Sequence, residues 1–306
     1  MNKSLQLAID AILSKECVVF PTETVYGLGA NALCHQSVSR IFELKNRPPS
    51  NPLIVHIATI DQILSVTTAL SPLEQKLFEK FSPGPLSLIL PKKKEISSNV
   101  TCGLNTVGVR IPNHPIALEF LSAVNLPICA PSANISGQPS PTTYEMAKFY
   151  MEDKAIILDG GTLDIGIEST VVKTDGNKIY ILRSGFITAE MIADQIGIVT
   201  STNTSQEHHS PGTKFTHYKP KATIIAFEGT PPKACDNSAL LFINYDRDLS
   251  SYRHVFHFDN AIDYAHALYY TFFQCDKLNI STIYCELPPN HGQGVALRDR
   301  LIKASQ

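Results

Sequence analysis

No window of this 306-residue chain approaches the ~20 apolar residues that a membrane helix needs. Its first ten residues, Met1-Asn-Lys-Ser-Leu-Gln-Leu-Ala-Ile-Asp10, lack the long apolar core of a secretory signal. The expectation is a cytoplasmic protein with no membrane partner. Charge of one sign is not in excess either: residues 1–200 hold 16 Lys or Arg against 18 Asp or Glu, and 201–306 hold ten of each. A sequence-independent grip on nucleic acid requires a basic face, so stable nucleic-acid binding is not expected. The run Lys92-Lys93-Lys94, beside Glu95 and after an apolar segment, reads as a solvated turn. The seven cysteines (17, 34, 102, 129, 235, 275 and 285) are odd in number and form no Cys-x-x-Cys, which leaves them as reduced, mostly buried residues. No Gly-x-Gly-x-x-Gly follows the first strand-like segment of the C-terminal part, and the dinucleotide reading has no fingerprint there.

What is present is a chain 43% hydrophobic and 18% charged, long enough for two packed cores. Strands are expected at 17–20, 53–57, 86–90, 106–111, 127–130, 155–158, 168–173 and 178–183. Ser71-Pro-Leu-Glu74 combines an N-cap, a proline at the first helical position and a capping box, and it starts a helix that runs to Phe81. Further helices follow Pro115 and Thr143, and Thr188 caps 189–196. So many strands with irregularly interleaved helices argue for an α/β or α+β sheet. The polar stretch Thr200–Gly212 then breaks the pattern as a linker. Strand-like 222–227, 239–243, 254–258 and 281–285, alternating with helix-like 261–273 and 294–304, make the rest a small, mainly parallel α/β unit. The expected division is 1–198, a linker at 199–220, and 221–306.

Chemistry concentrates at Phe20-Pro-Thr-Glu-Thr-Val-Tyr-Gly-Leu-Gly29, where the apolar run Cys17-Val-Val-Phe20 ends in three hydroxyl side chains, a carboxylate and two glycines. Core packing does not need that mixture, which reads as the floor of a polar ligand site. Sixteen residues later, Lys45-Asn-Arg-Pro-Pro-Ser-Asn-Pro52 sets two cations in a proline-stiffened loop, and the pair suggests an anionic ligand. Pro48-Pro49 restricts Arg47 relative to Asn51, and Ser132 and Asn134 flank a tight Ser-Ala-Asn turn.

These two segments resemble the signature of the threonylcarbamoyl-AMP synthase family, the YrdC-like proteins. Four more match it in order: Phe81–Pro91, Thr106-Val-Gly-Val-Arg-Ile-Pro112, Ala130-Pro-Ser-Ala-Asn-Ile-Ser-Gly137 and Ile167-Glu-Ser-Thr-Val-Val172. Ser210-Pro-Gly-Thr-Lys-Phe-Thr-His-Tyr-Lys-Pro220 looks like the linker of the family's long, two-domain members, which folds back over the pocket; Thr216 stands where that linker has an arginine. The resemblance implies a YrdC-like twisted mixed sheet with an open basic cavity, followed by a Rossmann-like parallel α/β domain. It implies an enzyme, a nucleotidyltransferase that joins L-threonine, bicarbonate and ATP, with Mg2+, into threonylcarbamoyl-adenylate and pyrophosphate for tRNA modification by downstream transfer proteins. It assigns threonine to Thr24, His56, Arg110, Ser132 and Ser169. Nucleotide contacts fall to Arg47, Asn51, Thr106, Asn134, Thr142, Arg183 and Tyr218, with Lys45 near the phosphates; Lys45, Arg47 and Arg110 are the catalytic candidates. Adenylation expels pyrophosphate and needs fixed cations and a divalent metal more than a nucleophile, and a guanidinium such as Arg110 suits a carboxylate through two parallel hydrogen bonds.

Each residue has a plainer reading. His56 in the run Leu53–Ile57 is, by its setting, a core histidine; Arg110 is equally a solvent-facing strand residue; Glu168 is a charged strand end before it is a general base; Thr22 and Glu23 are possible caps. His208, His209 and His217 suggest zinc but lack cysteine partners at ligand spacing. Two rival functions remain open: an RNA-binding YrdC-like module without catalysis, and carbamoyl transfer of the hydrogenase-maturation type, whose acylphosphatase-like and zinc-finger segments this chain lacks.

Overall fold

The computed structural model describes residues 3–199, 201–202, 217–243, 249 and 251–306. The N-terminal part runs α1 (Lys3–Leu13), β1 (Val18–Phe20), β2 (Gly27–Asn31), α2 (His35–Lys45), β3 (Ile54–His56), α3 (Pro72–Phe81), β4 (Leu86–Pro91), α4 (Ser98–Thr101), β5 (Thr106–Arg110), α5 (Pro115–Val124), β6 (Ile128–Ala130), α6 (Tyr144–Met151), β7 (Ile156–Ile157), β8 (Thr170–Asp175), β9 (Lys178–Arg183), α7 (Ala189–Ile196) and β10 (Ser201–Thr202). A short 3-10 helix, Ile60–Ser65, follows β3. The strands form one mixed ten-stranded sheet in the order β10-β9-β8-β4-β5-β3-β6-β2-β1-β7. Val18 and Phe20 face a cluster with Leu5 and Ile12 of α1 and Phe120 of α5, whereas Val19 faces Val38 and Ile41 of α2 and Leu77 of α3. The alternation of a strand thus buries both faces under helices.

The start of α3 follows its sequence signal: Ser71 Oγ accepts from Glu74 N at 3.3 Å, and Glu74 Oε2 accepts from Ser71 N at 2.7 Å. Thr188 likewise caps α7, accepting from Met191 N at 3.2 Å. Helices α1, α2 and α4 and strand β2 are not among the elements expected from the sequence. Helices α1 and α2 carry their apolar residues at helical spacing (Leu5, Ala8, Ile9 and Ile12; Val38 and Ile41) but no side-chain cap is seen for α2. Strand β2, Gly-Leu-Gly-Ala-Asn, has poor strand propensity. It forms because a side chain at Gly29 would meet the Phe20 ring and Ile128 at 2.8 Å, so glycine lets β2 lie against β1 and β6.

The C-terminal part comprises β11 (Thr223–Phe227), β12 (Ser238–Phe242), β13 (His254–His257), α8 (Ala261–Lys277), β14 (Thr282–Glu286) and α9 (Gly294–Ala304). Its four strands are all parallel, in the order β11-β14-β12-β13. The unit does not keep its core to itself: Val25, Met146 and Ile167 of the N-terminal part are buried in the same cluster as Tyr264, Leu268 and Phe272. Where the parts meet, Gly166 has φ +85°, and a side chain there would lie 2.4 Å from the backbone of His266. Strand β10 extends the first sheet to Thr202 and β11 opens the second at Thr223. Residues 203–216 of the expected linker, with Lys214, Thr216, His208 and His209, lie outside the described residues.

Candidate active site

Strand ends converge on one cavity. Thr24 comes from the β1–β2 connection, His56 and Arg110 from the ends of the parallel neighbours β3 and β5, Ser132 from just beyond β6, Ser169 from just before β8, and Arg183 from the end of β9. Arg47, beyond α2, and Tyr218 complete the lining. This is the arrangement of open α/β sheets, in which ligands sit beyond strand ends.

Among the described residues, three arginines face this space against one carboxylate, Glu168. Arg47 donates from Nε to Asn51 O (3.1 Å) and from Nη2 to Pro52 O (3.1 Å), so the proline-stiffened loop holds its own cation. Burial lowers its guanidinium to about 10, still charged at neutral pH. Arg183 donates through Nε and Nη2 to Ser169 O (3.1 and 2.9 Å) and through Nη2 to Ser169 Oγ (3.1 Å), which ties two strand ends into one wall. Ser87 Oγ lies 2.9 Å from Ser169 Oγ. Arg110 Nε donates to Gly84 O at 3.3 Å, and its Nη2 stands 2.7 Å from Glu23 Oε2, both side chains being buried. Arg110 is therefore not a solvent-facing strand residue.

His56 is buried, edge-on to Phe20 at 5.5 Å, and its Nδ1 has no hydrogen-bond partner among the described residues. Burial, reinforced by Arg110, lowers it to about 3, so the ring is neutral at neutral pH. On the floor, Thr22 Oγ1 donates to Val25 O (2.8 Å); its hydrogen being used, Thr24 donates to Thr22 across 2.9 Å and keeps its own lone pairs as acceptors. Ser132 Oγ donates to Asn134 Oδ1 at 2.5 Å, closing the Ser-Ala-Asn turn.

Five of the sequence-assigned residues do not line the cavity. Lys45 is 1% exposed, and its ammonium donates to Ser132 O (2.6 Å) and Asn134 O. Burial and the nearby Arg47 push it well below the ordinary lysine value. It stands behind the Ser132–Asn134 turn rather than facing the cavity. Asn134 Nδ2 donates to Ile135 O and Gln138 O (2.8 and 2.7 Å), and Asn51 is buried, its carbonyl holding Arg47. Thr142 Oγ1 donates to Met146 Sδ at 3.8 Å near the start of α6. Thr106 begins β5, roughly 13 Å along the strand from Arg110 at ~3.3 Å per residue.

Matching of family models gives the residues 10–185 to a family described as "Telomere recombination" and 187–306 to "Threonylcarbamoyl-AMP synthase, C-terminal domain". A threonylcarbamoyl-AMP synthase of Pyrococcus abyssi is 37% identical over 98% of this chain and 94% of its own length. The chain belongs to the threonylcarbamoyl-AMP synthase family. A member from Bacillus subtilis is 45% identical over 74% of this chain and 68% of its own. A crystal structure of the P. abyssi relative in complex with L-threonine superposes with a TM-score of 0.89 at 34% identity, covering 98% of this chain and 94% of the other. The architecture expected from the sequence, a mixed sheet followed by a parallel α/β unit, is thus that of a solved family member.

Three residues at or behind this synthase-family site have no ligand assigned to them from the sequence motifs: Glu168, Arg300 and His217. Glu168 is buried and accepts from Ser140 (2.7 Å), Tyr269 (3.0 Å) and Arg300 (3.1 Å). Burial alone would raise it; Arg300, Arg183 and the Ser140 hydroxyl bring it to about 2. Arg300 had a signal. On α9 the buried residues Ala296, Leu297, Leu301 and Ala304 form an apolar stripe, and Arg300 lies in its middle. His217 also lines the cavity, lowered to about 4 chiefly by burial. No group of three or more His, Cys, Asp or Glu able to hold a metal occurs among the described residues, and no helix among them is long and apolar enough to cross a membrane.

Proposed function

We infer that the chain is a threonylcarbamoyl-AMP synthase, an enzyme that joins L-threonine, bicarbonate and ATP into threonylcarbamoyl-adenylate and pyrophosphate. The observation that carries this reading is the convergence of Arg47, Arg110 and Arg183 on a hydroxyl-lined cavity, in a chain superposable over its length on a relative solved with L-threonine.

The chemistry suits those residues. The threonine nitrogen adds to the carbon of bicarbonate, water leaves, and a carbamate forms; a carbamate oxygen then attacks the α-phosphorus, and the bond to the β-phosphate oxygen breaks. No protein nucleophile is required, and the protein's task is to hold three reactants while charge builds on phosphate oxygens. In this reading Arg110 takes the threonine carboxylate, and Thr24, Ser132 and Ser169 surround the amino acid. Neutral His56 adds no charge that would compete with the amine. Arg47 and Arg183 meet phosphates, with Tyr218 against the nucleotide; Lys45, Asn51 and Asn134 hold the loops that present these groups. Mg2+ is part of the proposal: it would neutralise phosphate charge. With Glu168 engaged by three donors and Glu23 beside Arg110, it would be held mainly by ATP and water, as is usual for Mg2+. Delivery of the product to tRNA-modifying transfer proteins in the cytoplasm belongs to the same proposal.

Pyrophosphate release from ATP tests it. Turnover should need L-threonine, bicarbonate and a divalent cation together; equal release without threonine would rule the reaction out.

A further inference from the structure

Glu168 is the one carboxylate among the described residues lining the cavity, and two of its three hydrogen-bonding partners come from the C-terminal unit. Oε2 accepts from Tyr269 Oη of α8 (3.0 Å) and from Arg300 Nε of α9 (3.1 Å); Ser140 Oγ donates to Oε1 (2.7 Å). Neither Tyr269 nor Arg300 borders the cavity. Both also bear on Tyr218: the Tyr269 ring stacks on it at 5.3 Å and 25°, and Arg300 Cζ lies 5.6 Å from the Tyr218 ring centroid.

Arg300 is fully buried. Desolvating a guanidinium in that setting is unfavourable unless its partners offset the loss. Its Nη1 donates to Asp299 at 2.8 Å, and Nη2 finds no acceptor among the described residues. An apolar side chain would complete the stripe of α9 at lower cost. What the arginine adds is charge behind Glu168. Left uncancelled, that carboxylate would repel an anionic ligand entering beside Arg47 and Arg183; cancelled from behind, it leaves the cavity positive and its volume free. Glu168 also adjoins Ser169, on which Arg183 is tied.

We propose that Arg300 and Tyr269 of the C-terminal unit are positioning residues for the synthase reaction: they neutralise and hold Glu168 and fix the Tyr218 ring, so that the Ser169–Arg183 wall admits the nucleotide phosphates. The second unit thus supplies part of the active site's electrostatics without touching a substrate. This inference rests on the reading of the cavity as a nucleotide site.

The test compares the full-length wild type with Arg300→Met, Glu168→Gln, the double variant Glu168→Gln/Arg300→Met, and Tyr269→Phe. The readouts are pyrophosphate release at varied ATP and calorimetric binding of L-threonine. Arg300→Met should raise the KM for ATP about tenfold or more, with kcat and threonine affinity changed about threefold or less. Tyr269→Phe, which keeps the ring stack and removes one donor, should raise it by about two- to fivefold. The double variant should recover most of the KM lost in Arg300→Met, because the charge that needed cancelling is gone. A purely structural arginine would give no such recovery. An unchanged KM for ATP in Arg300→Met, or a double variant no better than the single, would overturn the proposal. Should Arg300→Met fail to fold, a folded double variant with an ATP KM worse than that of Tyr269→Phe would overturn it equally. Wild type that releases pyrophosphate without threonine defeats the functional reading itself, whereas an active wild type indistinguishable from Arg300→Met defeats only this inference.

Discussion

Arg110 Nη2 and Glu23 Oε2 stand 2.7 Å apart, both side chains 5% exposed, yet no aligned hydrogen bond joins them. The pair is held by charge and leaves donor directions unused, which fits a guanidinium that exchanges or shares its partner when a substrate carboxylate arrives. Arg110→Ala should weaken L-threonine binding by about 1.5–3 kcal/mol and change ATP affinity far less. It should also destabilise the fold by about 3–5 kcal/mol, because Glu23 is left as a buried, unpaired charge. Adding Glu23→Gln should restore the melting temperature but not threonine binding. Calorimetry that finds threonine affinity intact and ATP affinity lost would exchange the roles of Arg110 and Arg47.

Lys45 makes a separate case, since its ammonium is spent on the carbonyls of Ser132 and Asn134. Lys45→Met should loosen the turn that presents Ser132. Each hydrogen bond to a charged group contributes about 1.5–3 kcal/mol, so a lower melting temperature and weaker threonine binding should appear together. Threonine affinity at the wild-type level in a destabilised Lys45→Met protein would show that the turn holds without it.

Acid should weaken the fold in a defined window. His56 takes up a proton only near pH 3 and His217 near pH 4, against 6.5 for a free histidine. Between those values the unfolded chain binds more protons than the folded one, so this stability is complete above pH 6.5 and drains away as pH falls. For His56 the loss between pH 6.5 and 5 is about 2 kcal/mol. Glu168, lowered from 4.5 to about 2, acts in the same direction below pH 4.5. Melting curves at pH 7.5, 6 and 5 should show the decline, and His56→Asn should flatten it; an unaltered slope would mean that the ring takes up its proton as readily in the folded state as in the unfolded chain.

Gly166 offers a probe of the junction. Alanine there meets both a positive φ and the His266 backbone at 2.4 Å, so Gly166→Ala should cost at least about 1–3 kcal/mol. Since Glu168 is two residues away, the KM for ATP should rise as well. A variant with normal stability would show that α8 can shift freely.

The parts of the site legible in the sequence were those whose chemistry is local. Arg47 and Asn51 flank two prolines, and the predicted restriction appears as the Nε bond to Asn51 O. Ser132 and Asn134 share one turn, as their spacing implied. The cap at Ser71 needs four consecutive residues and nothing else. Strand β2 escaped because its glycines are selected by Phe20 and Ile128, partners that a window of neighbours does not contain. The resemblance puts Lys45 near the phosphates because a motif fixes the residue type, whereas the direction of its side chain depends on carbonyls some ninety positions away. The clasp on Glu168 joins residues 101 and 132 positions apart in sequence, and only the odd arginine in the apolar stripe of α9 hinted at it.

The shared core has a consequence for how the molecule comes apart. Val25, Met146 and Ile167 are buried among the side chains of α8, so detaching the C-terminal unit would expose apolar surface on both halves and strand a carboxylate. The junction is therefore coupled to the melting of both parts. Heating should give one calorimetric transition whose enthalpy matches its van't Hoff value over the whole chain, rather than two separable peaks. A single transition would make the boundary expected from the sequence one of architecture and not of cooperativity.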